Sequence, residues 1–124
     1  MKILIADDDV FLRDIATEFL SDAGYAVLAC EDGKIAWECL QKEGADLAVL
    51  DVNMPEMDGL ELLDLIRGDD KFKDMPVILL TGAKNVNMTS AKDRGADDYL
   101  AKPVEYDELI KRIKLLAAAF GKGE

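Results

Sequence analysis

The sequence predicts a doubly wound α/β fold: one five-stranded parallel sheet of order 2-1-3-4-5 with five helices on its two faces. Three observations lead there. Short aliphatic or β-branched runs alternate with longer segments of helical period along the whole chain. Those runs are apolar throughout instead of alternating with polar residues, as strands covered on both faces are. Strict strand–helix alternation also implies crossover connections and a parallel sheet, with strands 1 and 3 as neighbours at the switch point. At 124 residues the chain can bury a core but is short for two ordinary domains, so residues 1–124 are expected to form one domain.

Each element has its own signal. Ile3-Leu4-Ile5-Ala6 reads as the first strand, and Phe11/Leu12/Ile15/Ala16/Phe19/Leu20 repeat at helical spacing behind Asp9, which is placed as the N-cap. Ala26–Ala29 is the second strand, followed by a weaker helix on Ile35/Ala36/Cys39/Leu40. Leu47–Leu50 is the third strand. Asn53-Met54-Pro55 and Asp58-Gly59 then supply turn chemistry before a helix on Leu60/Leu63/Ile66. Val77–Leu80 is the fourth strand. The segment from Asn85 to Arg94 is the fourth helix, poor in strong helix formers and expected to be the most mobile. Tyr99-Leu100-Ala101 is the fifth strand, and Leu109/Ile110/Ile113/Leu116/Ala117/Phe120 mark the last helix. Pro55, Pro76 and Pro103, with Gly24, Gly33, Gly44, Gly68 and Gly95, fall between elements and interrupt none.

Composition excludes several function classes. Fifteen basic against 26 acidic residues give a net charge of −11, a field that repels phosphate backbones and anionic lipid. Direct nucleic-acid binding and membrane association are therefore not expected. No apolar run is long enough for a membrane span or a signal peptide's hydrophobic region, which points to a cytoplasmic protein. Cys30 and Cys39 follow no CxxC spacing and read as buried free thiols.

The stretch LIADDDVFLR crowds Asp7, Asp8 and Asp9 directly behind the first strand. Taken alone, it reads equally as a solvated turn with a helix cap. In the predicted topology, however, Asp7 and Asp8 share a crevice with Asp51 at the end of the third strand. Two such charges about 4 Å apart repel by roughly 4 kcal/mol at an effective dielectric of 20, a cost that protonation or a cation must offset. A hard divalent ion, Mg2+, suits a shallow oxygen-lined site of this kind. The fourth strand ends in Thr81-Gly82 and the fifth in Lys102-Pro103, so a hydroxyl and an ammonium reach the same rim.

LIADDD at 4–9, VLDVNMPEMDG at 49–59, LLTG at 79–82 and GADDYLAKP at 95–103 together resemble a response-regulator receiver domain, the phosphoacceptor module of two-component signalling. The resemblance covers essentially the whole chain and implies a flavodoxin-like, chemotaxis-regulator-like fold. It implies that Asp51 accepts a phosphoryl group, that Asp7, Asp8, Asp51 and the main-chain carbonyl of Asn53 hold Mg2+, and that Thr81 and Lys102 contact phosphoryl oxygens. Tyr99 would be the switch aromatic, and Lys102-Pro103 a candidate cis peptide. The implied partners are a histidine kinase or phosphotransfer protein upstream and a downstream protein or effector domain. Such a domain is no ordinary enzyme: it catalyses only its own phosphorylation and dephosphorylation, and it signals through the surface of helix 4, strand 5 and helix 5. Ala83, two residues beyond Thr81, is small where many relatives carry a larger or polar group, and Lys84 follows it. A haloacid-dehalogenase-like Mg-dependent phosphohydrolase is the alternative, weakened because Asp51-Val52-Asn53 is not a DxD pair. Gly121-Lys122-Gly123-Glu124 reads as either a natural end or the start of a linker.

Overall fold

In the computed structural model, which describes residues 1–82 and 94–121, nine elements follow in order. They are β1 (Lys2–Ala6), α1 (Val10–Asp22), β2 (Ala26–Cys30), α2 (Gly33–Glu43), β3 (Leu47–Asp51), α3 (Gly59–Arg67), β4 (Val77–Thr81), β5 (Asp98–Ala101) and α4 (Tyr106–Ala119). The five strands form one sheet of order β2-β1-β3-β4-β5. Every pairing is parallel. The four described helices are the first, second, third and fifth of the expected alternation. The expected fourth helix around Asn85, with Ala83 and Lys84, lies outside the described residues, although its last residue, Arg94, is described.

Successive side chains of a strand point to opposite faces, and the two cores sort accordingly. Leu4, Ala6, Ala48, Leu50, Val77 and Leu79 pack against α2 and α3 through Ala36, Leu40, Leu62, Leu63 and Ile66. Ile3, Ile5, Leu47, Val49, Ile78 and Leu80 pack on the other face against Ala16 and Leu20 of α1 and Leu109 and Ile113 of α4. Central β3 and β4 are buried at every position. The edge strands differ from the expectation of strands covered throughout: Ala26 and Ala29 in β2 and Ala101 in β5 are exposed, because an edge strand has helix cover along one flank only.

Only two of the six residues in the apolar stripe on α1 enter the core. Ala16 and Leu20 are buried, whereas Phe11, Ile15 and Phe19 stay exposed, Phe11 at 77%. A period of 3.6 residues identifies a helix and its apolar stripe, but that stripe is wider here than the face the sheet can cover.

Helix starts are fixed locally. Asp9 caps α1 by accepting from Phe11 N–H and Leu12 N–H, as the sequence predicts. Asp32 caps α2 and Asp58 caps α3, the latter in a reciprocal capping box with Glu61. Gly44 ends α2 with φ 72°, a conformation that costs a side-chain-bearing residue. The opposite end of the sheet is tied by Arg67, whose guanidinium donates to the carbonyls of Gly95, Lys73 and Met75 and to Asp97.

Candidate functional site

The crevice forms where β1 and β3, neighbours in the sheet, both end in acid. Asp51 is itself the last residue of β3 and pairs with Leu80 of β4. Asp7 follows β1 directly, and its N–H donates to the carbonyl of Cys30 at 3.1 Å. Asp7 and Asp51 are buried, while Asp8 is exposed at the rim. One carboxylate oxygen from each of Asp7, Asp8 and Asp51 falls within 4.8 Å of the others. This all-oxygen, carboxylate-rich donor set fits a hard divalent cation.

Lys102, carried just past β5, reaches into the crevice. Its ammonium donates to Asp51 at 2.9 Å and lies 3.5 Å from Asp7. The Lys102-Pro103 peptide is cis, as the resemblance implies. Burial raises the pKa of Asp51, against the hydrogen bond and charge of Lys102, and the charge of Asp7 adds to the rise. Burial also works against the Lys102 ammonium, but its hydrogen bond and attraction to Asp51, with Asp7 behind, outweigh that and raise its pKa. The 2.9 Å bond keeps the ammonium charged, whereas burial, with Asp7 close by, makes the Asp51 carboxylate costlier to ionise than one in water.

The other expected residues lie around this centre. Thr81, the last residue of β4, is buried and pairs with Ala101, and its carbonyl accepts from Lys102 N–H. Asn53 is exposed, donates its N–H to Asp51, and with Asp8, Met54, Pro55 and Asp58 lines a shallow groove of about 420 Å³. Tyr99 is half-buried on β5 opposite Leu79 and packs against the core on the α2/α3 side. At Gly82 an added Cβ would meet only Lys102 Cβ, at an ordinary 3.9 Å. Gly59 is the exacting glycine: a Cβ there would collide with the Asp51 carbonyl, and its N–H donates to the carbonyl of Val52, closing the β3–α3 loop.

Two neighbours escaped the sequence reading. Arg13 donates from Nη1 to the carbonyl of Asp7 at 2.8 Å. Tyr106, the first residue of α4, stacks on Phe19 with centroids 5.0 Å apart, and burial, then the charge of Asp7, raises its pKa. Neither belongs to a spaced motif. Only their positions at the starts of α1 and α4, beside the acidic loop and behind Lys102, hint at the site. The cysteines are free, as expected. Cys30 is buried and Cys39 half-buried, and burial, with Cys39 beside it, pushes the Cys30 thiol up to about 12.

Fold and crevice together define a class: a doubly wound parallel sheet with carboxylates and a lysine converging at its switch point. The family model of the response regulator receiver domain matches residues 3–114, and the chain belongs to that family. It is 42% identical over 114 residues to the transcriptional regulatory protein CrdR of Helicobacter pylori, covering 91% of this chain and 53% of that protein. It is 41% identical over 119 residues to the response regulator MprA of Mycobacterium leprae, covering 94% of this chain and 50% of that one. The chain thus spans about half the length of these two relatives. Among solved structures, the chemotaxis response regulator CheY4 of Vibrio cholerae superposes with a TM-score of 0.86 at 33% identity, covering 93% of this chain and 97% of that one. The chain is a receiver domain of the two-component response-regulator type, and the phosphohydrolase alternative draws no support from these matches. No described helix is long and apolar enough to cross a membrane.

Proposed function

We propose that residues 1–124 act as one receiver unit in which Asp51 takes a phosphoryl group from a phosphohistidine of a histidine kinase or phosphotransfer protein. The observation that carries this reading is the Lys102 ammonium, 2.9 Å from Asp51 and 3.5 Å from Asp7, in the crevice that also gathers Asp8. In the transfer an Asp51 carboxylate oxygen forms a bond to phosphorus as the donor's P–N bond breaks. The electron pair leaves on the imidazole nitrogen. Lys102 partly neutralises the attacking carboxylate and then holds a phosphoryl oxygen, while the Thr81 hydroxyl donates to another. Asp7, Asp8, Asp51 and the carbonyl of Asn53 would hold Mg2+, which when bound offsets the charge of carboxylates and phosphoryl oxygens together.

The chemistry is confined to the chain's own phosphorylation and dephosphorylation. Its output is a changed surface around β5 and α4, read by a downstream protein or effector domain. Relatives about twice the chain's length favour an effector domain as the reader. The net charge of −11 argues against direct contact with nucleic acid or anionic lipid and suits a cytoplasmic signalling role.

Incubation with acetyl phosphate and Mg2+, followed by mass spectrometry, tests the reading. One hydroxylamine-sensitive phosphoryl group is expected, and Asp51→Asn should abolish it. Modification at a serine or threonine instead would overturn the assignment.

A further inference from the structure

We propose that Arg13 is a positioning residue for the metal carboxylates: by bonding the Asp7 carbonyl, its guanidinium fixes the peptide that joins Asp7 to Asp8. The inference rests on the reading of Asp7 and Asp8 as ligands of a divalent cation.

The β1–α1 turn is held at several points, and Arg13 supplies one that the others do not. Asp7 N–H is tied to the Cys30 carbonyl at 3.1 Å, which anchors the turn to β2. An Asp7 carboxylate oxygen accepts from Asp9 N–H at 3.0 Å, and Asp9 in turn caps α1. Lys102 stands 3.5 Å from the same carboxylate. These contacts restrain the backbone before Asp7, the Asp7 side chain and the backbone after Asp8. The peptide between Asp7 and Asp8 is held by Arg13 Nη1, 2.8 Å from its carbonyl oxygen. A rotation of that peptide would swing the two carboxylates relative to each other.

The helix makes this contact possible. Arg13 lies in the first turns of α1, where its own N–H donates to the Asp9 carbonyl at 2.9 Å. From there the half-buried side chain runs back past the helix N-terminus to the turn it caps. Guanidinium suits the task because it stays charged and presents several donors in one plane. Its charge also reaches the Cys30 thiol, where it opposes the rise caused by burial.

Position and charge make opposite demands, which gives the proposal a sign. A cation bonded to the main chain of Asp7 opposes the arrival of a divalent ion nearby, so if charge alone mattered, removing Arg13 would tighten Mg2+ binding. If the guanidinium acts by holding the Asp7–Asp8 peptide, its removal weakens binding, on the order of 10-fold for an outer-layer partner of a metal ligand.

Titration of the 15N-labelled chain with MgCl2, followed through its amide shifts, separates the two. Wild type is expected to show saturable shifts at Asp8 and Asp9. Arg13→Gln should need about 10-fold more Mg2+, and its Asp8 amide should already be displaced without metal, because that N–H shares the peptide Arg13 holds. Arg13→Lys, which keeps a charged donor on the same turn, should fall between the two. Equal or tighter binding by Arg13→Gln overturns the proposal and leaves the metal reading standing. Absence of any Mg2+ response in wild type overturns both. Should Arg13→Gln fail to fold, Arg13→Lys against wild type decides: weaker binding supports the proposal, and equal or tighter binding overturns it.

Discussion

Gly59 leaves no room for a side chain because the carbonyl of Asp51 occupies the place a Cβ would take. The helix that follows the candidate phosphoacceptor therefore begins in direct contact with that residue's main chain. Gly59→Ala must push α3 or Asp51 aside, at a cost of about 1–3 kcal/mol for forced overpacking. The expected outcome is a lower Tm together with slower phosphorylation by acetyl phosphate, since the carboxylate shifts with its backbone. Wild-type rates at a lowered Tm would show that the loop absorbs the strain without moving Asp51.

The acidic crevice should cost stability when no metal is bound. Burial raises the pKa of Asp51 in the folded chain above its ordinary value of 3.8, so the folded state binds this proton more tightly than the unfolded state does. Stability from this group is thus present at low pH and is lost as pH rises from near 3.8 through the raised folded value. Above that window Asp51→Asn should be the more stable protein by on the order of 1 kcal/mol, a few degrees in Tm for a domain of this size. Melts of both proteins in EDTA across the acid range check this. A gain that is the same at every pH would assign it to something other than ionisation.

Arg67 offers a contrast at the far end of the sheet. Its guanidinium holds three carbonyls and Asp97, and Asp97 also accepts from Val77 N–H, so one side chain joins the end of α3 to the starts of β4 and β5. Arg67→Ala should cost about 2–3 kcal/mol, because it strands several partly buried acceptors and a carboxylate. At temperatures where the variant stays folded, the yield of phosphorylated protein should match wild type. A specific loss of phosphorylation would mean that the two ends of the sheet are coupled.

The uneven legibility of the sequence has a physical basis. Strand runs and helical periods show in the spacing of apolar residues, a local property, so the element types could be read from residues alone; the sheet order followed from the alternation of strands and helices, and the capping by Asp9 from its place directly before a periodic segment. Strand ends were equally legible, and they delivered Asp7, Asp8, Asp51 and Lys102 to one crevice. Periodicity does not reveal how much of an apolar stripe its neighbours cover, and so Phe11 and Phe19 look outward. Arg13 and Arg67 act through long side chains bonded to distant carbonyls, and such contacts leave no spacing to detect.

Trp37 should report poorly on the crevice. It lies on α2 and meets Phe72 edge-on at 6.4 Å, within the core on the α2/α3 side, while the residue after Asp51 is the aliphatic Val52. No indole stands next to the carboxylates, so Mg2+ should change tryptophan emission only weakly. Strong quenching on titration would place Trp37 much nearer the metal than this packing allows.

Thr81 and Tyr99 should respond together when Asp51 is phosphorylated. Thr81 is buried one residue beyond Leu80, the ladder partner of Asp51, and Tyr99 lies on the adjacent strand three residues before Lys102. A hydroxyl drawn toward a phosphoryl oxygen would leave space beside β5, which the half-buried Tyr99 ring on the neighbouring strand would take. Two such arrangements need differ by only a few kcal/mol for phosphorylation to reverse their populations. Adding beryllofluoride as a phosphoryl mimic should therefore shift amides beyond the loops at Asp7, Asp51 and Lys102, extending through residues 83 to 106. Tyr99→Phe keeps the ring and should retain most of that response, whereas Tyr99→Ala should confine it. If wild type itself shows shifts only in the three loops, the ring plays no part in the switch, and the output surface must lie elsewhere on the domain.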